Sequence, residues 1–309
     1  MSYSVRGRFA IVTGGGSGIG HALVRLLLDA GCSVAIADLK LRPEAEATVN
    51  EFSETSSGKG SVFFCQTDVS DWTQISALWK TALEKFGQID IMVNCAGVYE
   101  APGISFWNPP GISPLAEDSE DAKIGQYKIF AINTVAPIRL AQIAIDYWQQ
   151  HPEVQGNLLF VASMGGYVHS MQTPLYFASK AALVSMVKSL GGLKMALGIR
   201  NAAICPAAVF TPIFEPEYCR DRLKRDDIAL TAEDVADLSM KVLQEAKYGN
   251  GDIMEIMMKG TKDEPEIHVA EKDLTALYPK DNPFGARAIA EEMKFFEKVK
   301  ENGMRSSLS

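Results

Sequence analysis

The sequence predicts an α/β protein wound on both faces of a parallel sheet, and three observations predict it. Short, nearly continuous apolar runs recur through the first 260 residues, helical stretches of amphipathic period separate them, and a glycine-rich turn joins the first run to the first helix. Seven runs qualify as strands: 9–12, 33–37, 62–65, 89–93, 158–162, 201–205 and 253–257. Their unbroken hydrophobicity suits strands buried on both faces; one wet face would show as alternation.

Each element follows in order. The first strand enters TGGGSGIG (13–20), which opens a helix over 21–30 with Leu23, Leu26 and Leu27 on one face. The second strand ends at Asp38 and the third is followed by Asp68 and Val69; the next helix, 70–86, starts in an Asp/Thr-rich turn suited to capping free amides. The fourth strand closes on NCAG (94–97), a long helix over 121–149 carries Asn133, and Ser163 lies just past the fifth strand. YFASK (176–180) sits on the following helix, and the sixth strand runs into CPAAVFTPI (205–213).

Two irregular segments stand out: 100–119, with four prolines plus Phe106 and Trp107, and 207–230, rich in Phe, Tyr, Pro and charge. With no repeat and no long linker, residues 5–260 read as a single domain and 261–309 as a C-terminal extension. In the extension Ile289, Met293, Phe296 and Val299 fall at helical spacing over 286–302. That helix is expected to pack on its own domain; a subunit contact or a cover for the substrate cleft are the alternatives.

Charge and cysteine usage exclude several functions. Thirty Lys+Arg against 38 Asp+Glu leave a net charge of -8, so neither nucleic acid nor an anionic membrane is an expected partner. No apolar run is read as approaching the roughly 20 residues that cross a bilayer, and the amino terminus lacks a signal-like stretch, so a cytoplasmic location is expected. Five scattered cysteines with no CxxC pair argue against a disulfide framework and a structural zinc site. No metal is expected.

A strand, a glycine turn and a helix amino terminus together present free N–H groups and a positive dipole end to a pyrophosphate. In this Rossmann-like setting Gly14 permits the turn, Gly18 the close backbone approach and Gly20 the packing of helix on strand, with Ser17 and Ile19 between them. Asp38, eighteen residues past Gly20 and followed by Leu39, is placed to accept from the adenosine ribose hydroxyls and to repel a 2′-phosphate. NAD is therefore favoured over NADP, with Lys40 and Arg42 as the opposing observation. Asp68, beside Val69, either meets the adenine amino group or caps the next helix. Asn94, Ala96 and Gly97 let a cofactor lie against the strand end.

Tyr176 and Lys180, at i and i+4, share one helix face about 6 Å apart. A phenol titrates near 10 in water; a neighbouring ammonium and a bound nicotinamide cation both favour phenolate, which makes the pair a general base. Ser163 would hold the substrate oxygen beside it, and Asn133 would support a water chain to Lys180.

The order of TGGGSGIG, NCAG, Asn133, Ser163 and YFASK resembles the short-chain dehydrogenase/reductase family over about residues 5–260. The resemblance implies a seven-stranded parallel sheet, a catalytic tetrad of Asn133, Ser163, Tyr176 and Lys180, and homodimers or homotetramers. It also implies nicotinamide contacts from Pro206, Val209 and Thr211, with Ala207 where the family usually has glycine. CPAAVFTPI, NGDIMEI and KFGQIDIMVNCAG are similar to the NAD-dependent hydroxyprostaglandin dehydrogenase branch, which implies oxidation of a secondary alcohol on a large apolar molecule.

The cleft rim is read as Met164, Tyr167, His169, Met171, Val209, Phe210, Ile213, Phe214 and Tyr218, joined by Phe106 and Trp107, and suits a bulky apolar alcohol or ketone. Rival readings are an NADPH-dependent ketone reductase and a cofactor-binding regulator without turnover.

Overall fold

The computed structural model describes residues 2–52, 59–274 and 285–304. Its strands are β1 (Phe9–Thr13), β2 (Ser33–Asp38), β3 (Val62–Gln66), β4 (Ile91–Asn94), β5 (Asn157–Val161), β6 (Arg200–Pro206), β7 (Asn250–Gly260) and β8 (Pro265–Glu271). They form one sheet in the order β3-β2-β1-β4-β5-β6-β7-β8, parallel from β3 to β7. The strand order reverses between β1 and β4, and Thr13 lies opposite both Ala37 and Asn94. The chain therefore leaves β1, β2 and β4 level with one another, opening a crevice at the carboxyl ends where such sheets bind ligands.

Alternate residues of each strand feed two apolar layers. Val12, Ile36 and Ile204 meet Leu23 and Leu27 of the helix Gly18–Asp29 and Val235 of the helix Ala232–Gln244 on one face. On the other, Ile11, Met92 and Phe160 meet Leu78, Leu140, Trp148 and Val187 from the helices Trp72–Phe86, Lys128–Gln150 and Pro174–Ser189. Burial of both faces is the physical content of the unbroken apolar runs.

Several expectations are corrected. Among the described residues the sheet has eight strands rather than seven, because β8 pairs antiparallel with β7. In β8 the branched residues Ile267 and Val269 are the exposed ones while His268 and Ala270 are half-buried, so apolar-in alternation never appears. The long helix starts at Lys128 rather than 121, where the Asp118 carboxylate accepts from the Lys128 amide at 2.9 Å. This helix is also long and apolar enough to span a bilayer by length and composition, against the reading that no such run exists. Leu140, Ala144 and Trp148 spend that apolarity on the sheet.

Inside the same helix, residues Ala131–Val135 form a π turn. Pro137 has no N–H for the carbonyl of Asn133 four residues back, and its ring crowds that carbonyl, so the backbone widens there.

Candidate active site

The crevice is built from the ends of β1, β2, β4, β5 and β6. Thr13 ties the first to the fourth: its Oγ1 donates to the Val93 carbonyl (3.3 Å) and accepts from the amides of Cys95 (3.1 Å) and Ala96 (3.2 Å). Gly14, at φ 68°, passes so close that a methyl group on it would stand 2.8 Å from Ala96 N and Cα. Only glycine fits both conditions. Ser17 takes the N-cap position with its hydroxyl unbonded to the first turn, so no side chain of the cap satisfies the amides at this helix start.

Asp38 braces this turn directly, accepting from Gly16 N at 2.9 Å through one oxygen and from Leu39 N at 2.7 Å through the other. Asp68 folds onto its own turn, where Oδ1 accepts from Ser70 N at 2.9 Å and Ser70 Oγ at 2.6 Å, with Val69 buried beside it. The cap of the following helix is Asp71, not Asp68, and the helix begins at Trp72 rather than Ser70.

At the end of β4 the Asn94 side chain is 2% exposed, and neither its Nδ2 nor its Oδ1 has a protein partner among the described residues. A buried amide with its donor and acceptor both unmet is costly. Together with the uncapped helix start and the close-packed glycine turn, it fits a nucleoside-bearing group lying across these strand ends. Thr211 closes the far side: a methyl on Gly18 would stand 3.3 Å from its Cβ and Cγ2, and its Oγ1 donates to the buried Val209 carbonyl at 3.4 Å. Ala207 occupies the glycine position without strain, since among the described residues none other than glycine has positive φ.

The chemistry-bearing side chains converge one layer deeper. Asn133 is fully buried on the π turn, accepting from Val98 N (2.9 Å) and donating to Val98 O (3.0 Å) and Ser179 Oγ (3.1 Å). Lys180 Nζ donates to Val161 O at 3.1 Å and lies 5.9 Å from the centre of the Tyr176 ring. A methyl on Gly97 would touch Asn133 Oδ1 at 3.4 Å and Lys180 Nζ at 3.5 Å, so both groups face one spot. One on Gly165 would touch Ser163 Oγ at 3.3 Å and Tyr176 Cε1 at 3.4 Å. Ser163 Oγ accepts from Gly165 N at 3.0 Å and donates to Pro206 O at 3.5 Å.

Burial moves the pair in opposite directions. The Lys180 ammonium falls to about 8 because it is out of water. The Tyr176 phenol is pushed up to about 12 by burial, opposed by its hydrogen bond with Ser163. Burial is the largest influence on both groups. Cys95 is likewise pushed up to about 12 by burial, as a packing residue should be.

Sequence reasoning missed Glu100. Its buried carboxylate accepts from Tyr176 N (2.9 Å) through one oxygen and from Ser105 Oγ and Phe106 N (2.9 Å each) through the other. The helix N-cap, Thr173, makes no capping bond of its own and instead shares one with Tyr99 at 3.1 Å. Glu100 thus caps the helix that carries Tyr176 and anchors the proline-rich insert to it. Tyr99 was missed too: its ring lies 4.7 Å from that of Tyr176 and 5.7 Å from Phe214, and its hydroxyl accepts from Arg222 at 3.0 Å.

Of the predicted rim, Phe214 reaches this aromatic group, and Trp107 from the insert donates to Met171 O at 2.9 Å. Tyr167 turns away instead, donating to the buried Glu255 at 2.8 Å, where Lys272 also pairs at 2.9 Å.

Comparison with known proteins follows the same lines. The profile of the short chain dehydrogenase family matches residues 8–220. (+)-Borneol dehydrogenase 1 of Salvia officinalis is 31% identical over 81% of this chain and 92% of its own length. Human 15-hydroxyprostaglandin dehydrogenase [NAD(+)] is 31% identical over 68% of this chain and 71% of its own. In fold, the chain is similar to the crystal structure of 3-ketoacyl-(acyl-carrier-protein) reductase from Brucella melitensis complexed with NADH, with a TM-score of 0.65 and 24% identity over 82% of this chain and 98% of that one.

Proposed function

Because this chain belongs to the short chain dehydrogenase family and is an oxidoreductase of alcohols and ketones, we propose that it oxidises a secondary alcohol on a bulky apolar molecule with NAD, Tyr176 acting as general base. The observation that carries the reading is the convergence of Ser163, Tyr176 and Lys180 beside the crevice that ends at Asn94. The glycine turn with Ser17 and Ile19 would hold the pyrophosphate, Asp38 the ribose, and Asn94, Pro206, Val209 and Thr211 the nicotinamide half. A bound oxidised nicotinamide supplies the hydride acceptor and a positive charge that favours phenolate.

The chain's own residues then handle the oxygen and its proton. Ser163 donates to the carbinol oxygen and fixes it against the phenol, an orientation that by itself lowers the barrier. Tyr176 takes the hydroxyl proton as the alcohol becomes a ketone, and Lys180 and Asn133, facing the same spot near Gly97, carry it toward water. The exposed Phe106, Trp107 and Met171 with Phe214 favour an apolar substrate body.

One observation favours a second reading, reduction of a ketone: a phenol held at about 12 is a proton donor at neutral pH. A panel of apolar secondary alcohols with NAD, run against the matching ketones with NADH and NADPH and followed by nicotinamide absorbance, separates the two. Tyr176→Phe should lower turnover at least about a thousandfold in either direction while leaving NADH binding intact. Normal turnover in that variant overturns the mechanism. Asp38→Ala should relax discrimination against NADP; an unchanged preference removes Asp38 as the selector.

A further inference from the structure

Arg42 and Glu215 lie 173 residues apart and meet in a two-pronged ion pair, Nη1 to Oε2 at 2.8 Å and Nη2 to Oε1 at 3.0 Å. Their anchors stand on opposite walls of the crevice. Arg42 belongs to the wall that Asp38 commands: its amide donates to Gly16 O at 3.1 Å, and Gly16 N in turn donates to the Asp38 carboxylate. Glu215 follows the short turn Pro212–Phe214, directly after Thr211, whose side chain sits against Gly18. The bridge therefore crosses from the ribose side of the crevice to the loop that covers its nicotinamide side.

We infer that this pair is a selectivity clasp: Glu215 holds in place across the crevice the guanidinium that would otherwise receive a 2′-phosphate. The inference rests on the assignment of Asp38 and its surroundings to the cofactor ribose and deepens it. Arg42 is the residue near Asp38 best shaped for a phosphate, because its planar fork binds two oxygens at once. That fork is matched to a carboxylate already. A 2′-phosphate must then displace Glu215 as well as approach Asp38, whereas a free 2′-hydroxyl needs neither. Both side chains are partly exposed, 36% and 58%, so the pair adds little to stability in water. Its consequence lies in which anion the guanidinium meets.

The test is direct binding of NADH and NADPH, read by quenching of the tryptophan fluorescence, in the wild type, Glu215→Gln, Arg42→Gln and the double variant. Glu215→Gln keeps the size of the side chain and removes its charge. The NADPH-to-NADH ratio of dissociation constants should fall about tenfold, the scale of one charge-assisted hydrogen bond at a partly exposed site. Adding Arg42→Gln should abolish that fall. A ratio unchanged in Glu215→Gln, or one that falls equally when Arg42 is absent, overturns the clasp. A wild type that itself binds NADPH more tightly refutes the NAD preference but leaves the effect of Glu215→Gln on the ratio readable, so the two failures are distinct.

Discussion

At the scale of single residues, the opposed behaviour of Lys180 and Tyr176 has a consequence for stability. The folded protein gives up the Lys180 proton near 8, the unfolded chain only near 10.5, so between these values the folded state binds fewer protons and stability rises with pH. For Tyr176 the sign is opposite: its folded value of about 12 lies above the ordinary 10.0, and the stability it contributes is lost as pH climbs from 10.0 through 12. Lys180→Met should flatten the rise in melting temperature between pH 8 and 10, which thermal unfolding across that range checks.

Glu100 carries a different expectation. Glu100→Ala leaves the Tyr176 amide and the Ser105 hydroxyl without their buried acceptor, a loss of about 1–3 kcal/mol. Turnover should fall about tenfold with NADH affinity retained, and Glu100→Gln, which keeps one acceptor, should recover part of it. Ser163, Tyr176 and Lys180 were legible in the sequence because their spacing is local or follows a strand end. Glu100 was not, since its partner Tyr176 lies 76 positions away and nothing local marks an isolated acid among prolines.

Among elements, the seven parallel strands are legible because burial on both faces leaves no alternation to interpret, and each falls within a few residues of its apolar run. The helix carrying Asn133 was harder. Its start depends on Asp118, ten positions upstream of the amide it caps, and its π turn on the missing N–H of Pro137. The second signal was present in the sequence as a proline four residues after the functional asparagine.

The glycine turn gives a sharper test of element geometry. Gly14→Ala demands a left-handed backbone, costing about 1–2 kcal/mol, and drives a methyl group against Ala96. It should lower the melting temperature and weaken NADH binding together, whereas Gly87→Ala, which has positive φ but open space around it, should lower only the first.

Across the whole molecule, the C-terminal helix Gly285–Asn302 sits far from the crevice. Gln149, at the outer end of the long helix, donates to Val299 O at 3.3 Å and accepts from Met304 N at 3.1 Å, and Phe296 packs over Gly192. Asn133 and Gln149 are sixteen residues apart, about 24 Å along a helix. The described part of the helix packs on its own chain, against the outer end of the long helix. A chain ending at 284 should keep its turnover while melting at a lower temperature, which steady-state rates and thermal unfolding of the shortened protein check.

The eighth strand has an effect of another kind. Among the described residues no strand pairs with its outer margin, and Ile267 and Val269 stand out from it, 45% and 41% exposed. Such a margin invites a passing chain to dock by backbone alone. Pro265 blunts its start, and the acidic side chains of Glu264, Glu266 and Glu271 surround it. A short edge that carries a proline and charged side chains disfavours edge-to-edge pairing with another chain.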